Sequence, residues 1–141
     1  MAWCGKGIVS MSQEKDVLSI THTASGTIYK RTDGILVFRQ IPGRDSVTLD
    51  ELKEQLNAFL EIQKGEQTPL MVVAEKLKRL ESEEKIFLSS TVDQFASKVA
   101  IVTTTPIPTF IFNIFLFLTR PAIPGRIFDS EKLAMEWLKR S

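Results

Sequence analysis

This chain has little suited to metal, redox or nucleotide chemistry. Its 141 residues include one cysteine, Cys4, and one histidine, His22. A single cysteine cannot close an intrachain disulfide, which suits a reducing compartment. One cysteine and one histidine cannot supply the four nitrogen and sulfur ligands of a structural zinc site. A histidine-based triad would have to use His22, and no Gly-x-Ser-x-Gly elbow accompanies it. His22 therefore reads as a surface residue. The seven glycines form neither a Gly-x-Gly-x-x-Gly turn nor a Walker-type loop, so the usual phosphate cradles are missing. The expectation is a non-enzymatic protein with no metal and no cofactor.

An excess of one charge is also lacking. Eighteen basic and seventeen acidic residues leave a formal net charge of +1. Such a balance gives no field to steer nucleic acid. Lys76, Lys78, Arg79 and Lys85 lie close together, but Glu75, Glu81, Glu83 and Glu84 interleave them, as on a solvated face. Long apolar runs are absent as well. Residues 1–16 have no apolar signal-peptide core and read as a poorly ordered arm. The expected location is cytoplasmic. Residues 17–141 have the length of one ordinary domain, and a hydrophobic content of 43% argues against disorder.

What is present is concentrated in one stretch. Phe110 to Leu118 is apolar except for Asn113 and holds Phe110, Phe112, Phe115 and Phe117, four of the nine phenylalanines. As a helix, the segment from Thr105 to Leu118 would cover roughly 20 Å. A bilayer core is about 30 Å thick, and Pro106, Pro108 and Pro121 prevent extension. A membrane-spanning helix is excluded on length. A membrane-surface helix would want a charged face, and Asn113 alone is no such face. A covering helix or an interface remains.

Elsewhere the pattern alternates between strands and helices. Thr27–Arg31 and Ile35–Ile41 flank an Asp33-Gly34 turn, a hairpin signal. An extended piece is also read from Leu18 onward. Thr48-Leu-Asp-Glu51 is a capping box, after which Leu49, Leu52, Leu56, Phe59 and Leu60 recur at helical spacing. Gly65 suits the position past that helix's end. Pro69–Ala74 and Lys98–Thr103 are buried-strand runs. Between them, Ser82 opens a helix whose stripe continues through Leu88, Val92 and Phe95. The Phe-rich helix follows, then a short strand at Arg126–Phe128. A last helix is capped by Asp129–Glu131, with Leu133, Ala134, Trp137 and Leu138 expected inward. The expected fold is α/β. A five-stranded, mostly parallel sheet begins with an antiparallel hairpin and carries four covering helices.

That order resembles the STAS superfamily, named for sulphate transporters and anti-sigma-factor antagonists. The resemblance runs from about Thr27 to Arg140. It rests on the element order, on the strand Leu70–Ala74 leading to Glu81-Ser82, and on the ending Lys98–Thr103, Phe110–Leu118, Pro121, Arg126–Phe128 and Ala134–Leu138. The ending is similar to small uncharacterised bacterial STAS-like proteins, some related by fold to lipid-binding Sec14-type domains. In anti-sigma-factor antagonists the place of Ser82 holds Asp-Ser-Ser-Gly, whose serine is phosphorylated. The resemblance thus implies Ser82 as a candidate phosphoacceptor. Here, however, Glu81, Glu83 and Glu84 would repel a phosphate of about −1.5 to −2 charges, and a helix N-terminus returns only about 0.3–1 kcal/mol. Those charges favour Ser82 as a plain cap.

Two functional readings follow. In the first, Phe110, Ile111, Ile114, Phe115 and Leu118 pack on the sheet. Phe112, Asn113, Leu116 and Phe117 then face away as an interface, for a homodimer or a protein partner. In the second, the same phenylalanines line a pocket for a lipid or another small apolar ligand, with Arg120 or Arg126 near its mouth. A weaker candidate for an anion or head group is the carboxyl end of a strand, at Thr103, Thr104 and Thr105 with Arg120 and Arg126. Helix capping is the commoner use of such threonines. An enzyme would have only Glu75, Thr103 and Asp129 to work with.

Overall fold

A computed structural model describes residues 17–43, 47–74, 82–103 and 123–140. Six strands form one sheet: β1 (Val17–His22), β2 (Gly26–Arg31), β3 (Leu36–Gln40), β4 (Thr68–Val73), β5 (Ala96–Val102) and β6 (Gly125–Phe128). Their order across the sheet is their order in the chain. β1, β2 and β3 pair antiparallel, and β3 to β6 pair parallel. The mixed α/β sheet matches expectation, but six strands stand where five were expected. The extra strand is β1, with Thr21 opposite Ile28 and His22 opposite Thr27. It is an edge strand exposed along most of its length, so it lacks the buried alternation by which strands are recognised.

Local chemistry explains the elements. At the β2–β3 turn, Gly34 adopts φ 90° and its N–H donates to the Arg31 carbonyl at 2.9 Å. Helix α1 (Leu49–Gln63) opens with the expected capping box. The Glu51 N–H donates to Thr48 Oγ1 at 3.1 Å, and the Thr48 N–H donates to Glu51 Oε1 at 3.0 Å. At its other end the left-handed cap is Lys64, with Gly65 following in a second positive-φ conformation. Helix α2 (Ser82–Thr91) runs into a 3-10 turn, Val92–Gln94. The Ser90 and Thr91 hydroxyls donate back to the Ile86 and Phe87 carbonyls at 2.8 Å, a habit that bends helices. Helix α3 (Glu131–Lys139) is capped by Ser130, whose hydroxyl accepts from the Leu133 N–H. Three α-helices are thus described. The fourth expected one, over 110–118, lies outside the described residues, as does the arm of residues 1–16.

Strand alternation divides the core in two. One face carries Ile28, Leu36, Phe38, Leu70 and Val99, packed with Ala58 and Phe59 of α1, and with Val92, Phe95 and Ile123. The other carries Tyr29, Val37, Met71, Ala100 and Val102, packed with Ala134 and Leu138 of α3. Leu133, expected inward, is 51% exposed. Successive helical residues turn by about 100°, so a nine-residue helix seated on Ala134 and Leu138 leaves Leu133 at its flank.

Candidate functional site

The carboxyl ends of the parallel strands lie along one rim of the sheet. There the Ala74 N–H donates to the Val102 carbonyl, and the Thr103 N–H donates to the Phe128 carbonyl, each at 3.0 Å. Thr103 is buried, whereas Asp129 is exposed. These contacts continue the sheet by one residue beyond β4 and β5. Of the three residues an enzyme would have to work with, Thr103 lies at this rim bonded to Phe128, the residue before Asp129. Glu75 lies outside the described residues.

Arg126 pairs in register with Ala100. It is thus level with the middle of β5 rather than with Thr103. Its guanidinium lies 5.6 Å from the Phe128 ring centroid, on the sheet face that Phe128 shares with α3. Ser82 is the first residue of α2, ahead of Glu83 and Glu84 in the same turn. Phe112, Asn113, Leu116, Phe117, Thr104, Thr105 and Arg120 lie outside the described residues.

The same rim holds a charged group that the sequence did not announce. Arg39, near the end of β3, makes a bidentate pair with Glu131 in the first turn of α3, at 2.8 and 3.0 Å. Its Nε donates to Tyr29 Oη at 3.0 Å. The hydrogen bond from Arg39 holds the Glu131 carboxyl below its usual pKa, against the opposing effect of burial. Glu131, and secondarily Tyr29, hold the Arg39 guanidinium charged despite burial. Its donors are engaged by α3 and β2, an arrangement that fixes a helix rather than one that waits for a substrate.

The opposite end of α3 is fixed as well. Lys98 Nζ donates to the Trp137 and Arg140 carbonyls, both at 2.9 Å, and lies 4.4 Å from the Trp137 ring centroid. Such a cation at a helix C-terminus meets the free carbonyls and the negative end of the dipole. Asp33 pairs with Arg31 at 3.0 Å and with Lys139 at 3.8 Å. Burial opposes its ionisation, but the Arg31 hydrogen bond, the Ile35 N–H and the two cations outweigh it and lower the Asp33 pKa.

At the far end of the sheet, an open cleft of about 450 Å³ lies between β1, β2 and the last turn of α1. Leu18 and Ile62 give it apolar walls, while Lys30, Lys64, Glu61 and Glu66 bring both charge signs. Lys30 Nζ is 2.6 Å from Glu66 Oε1. Gln63 is fully buried beside the cleft. Its amide donates to Thr68 Oγ1 and the Phe95 carbonyl, and its Oε1 has no partner among the described atoms. Balanced charges of this kind select no ligand class. Among the described residues no three of His, Cys, Asp and Glu gather as metal ligands. None of the described helices is long and apolar enough to cross a membrane.

The family described as Domain of unknown function (DUF7793) matches residues 29–141. The chain belongs to that family. The fold of this DUF7793 chain is similar to that of an uncharacterised DUF3478 protein with a SpoIIAA-like fold from Shewanella loihica PV-4. The TM-score is 0.55 at 14% identity, covering 86% of this chain and 91% of that one. SpoIIAA-like folds are of the STAS type, so the fold expected from the sequence is the one found. Identity at this level establishes the fold and no activity. A protein of unknown function from Arthrobacter sp. FB24 shares 22% identity over 84% of the DUF7793 chain and 96% of its own length, but its TM-score is 0.29. None of the curated proteins matches.

Proposed function

We propose that this DUF7793 chain is a cytoplasmic, non-enzymatic interaction module that pairs with a second copy of itself. The proposed contact is the Phe112, Asn113, Leu116 and Phe117 side of the Phe-rich run. One observation carries the reading: the concentration of phenylalanine in residues 110–118, set between the parallel neighbours β5 and β6. Parallel crossovers are right-handed in about 98% of cases. Strand order 3-4-5-6 then favours the same side of the sheet for each connection. α1 packs on that side, and so does Ile123, the first described residue after the run. A helix beside α1 and α2 can bury one flank of its phenylalanines against the sheet. Its other flank would leave several large apolar groups in water, at about 1.5–3 kcal/mol each, unless a partner covered them.

Light scattering of the purified chain at micromolar concentration should give a dimer mass. Phe112→Ser with Phe117→Ser should give a monomer whose circular dichroism is unchanged. A monomeric parent chain would overturn the proposal. So would a lipid that co-purifies in native mass spectrometry with a monomer, because the same phenylalanines would then line a carrier's pocket.

A further inference from the structure

We draw no further inference here: the strongest candidate, the outer edge of β1 where Leu18 and Ile20 stand exposed beside the cleft under α1, is an apolar edge with no partner among the described residues, and nothing there shows what covers it.

Discussion

On the α1 face of the sheet, Phe59 stacks on Phe95 at 4.3 Å and meets Phe38 edge to face at 6.3 Å. Ile28, Leu36 and Leu70 complete a core of large side chains. On the α3 face, a nine-residue helix buries Ala134 and Leu138 fully. Ions and carbonyls hold its ends: Glu131 on Arg39, Lys139 on Asp33, and Lys98 on the last turn. One sheet is therefore covered by two kinds of force. Aromatic packing scales with buried area and is not weakened by ionic screening. Exposed ion pairs are worth about 0–1 kcal/mol each and weaken with ionic strength. A short helix with a narrow apolar stripe depends more on its ends than a long one does.

The largest effect should come from the packed face. Phe59→Ala removes the centre of the aromatic group and should cost about 3–5 kcal/mol, read from urea unfolding. A loss below about 1 kcal/mol would mean that the stack contributes little beyond ordinary surface change. Next comes Gly26→Ala. An added Cβ would collide with the Arg39 carbonyl and lie 2.8 Å from the Phe38 ring. Overpacking of this kind costs about 1–3 kcal/mol, so a neutral result in thermal unfolding would show that β2 and β3 can part there.

On the other face, Lys98→Met keeps the stem but loses two charged hydrogen bonds. It should cost about 1–2 kcal/mol and raise amide hydrogen exchange in α3 well before α1. Equal changes in both helices would erase the distinction between the faces. The smallest effect concerns pH. Asp33 and Glu131 have lowered pKa values in the fold. Their contribution is complete above the unfolded carboxylate pKa of about 4 and is lost as pH falls through the lower folded values. Melting temperature should therefore drop below about pH 4. Glu131→Gln should make that drop shallower while costing about 1 kcal/mol or less at neutral pH. An unchanged acid slope would exclude the Arg39 pair as its source.

How much of this could be read in the sequence depended on the range of each interaction. The Thr48–Glu51 box and the Asp33-Gly34 turn are local, and both stand where the residues put them. The helix register through Leu52 and Phe59 is also local, and both side chains are buried. The α3 pins were illegible, because Arg39 and Glu131 are 92 residues apart and either charge alone looks like solvated surface. Gln55 and Gln63 share that fate: nothing local marks these polar side chains for the interior, yet both are buried. Gln55 bonds to Ser25 under the β1–β2 turn, and Gln63 ties the start of β4 to Phe95. β1 was half legible, because an exposed edge imposes no pattern on its residues. The site residues proposed from the Phe-rich run all fall outside the described residues, so their legibility rests on the light-scattering result.

The sequential strand order also bears on how the chain is born. Each strand from β2 onward docks against one already synthesised, so the sheet can lengthen as the polypeptide leaves the ribosome. The α1 face gains its cover early, from residues that follow β3 directly. The face carrying Tyr29, Val37 and Met71 waits for Ala134 and Leu138, which emerge only after β6. During that interval half of the sheet is bare, and an unfinished chain carries a sticky surface that the finished one hides.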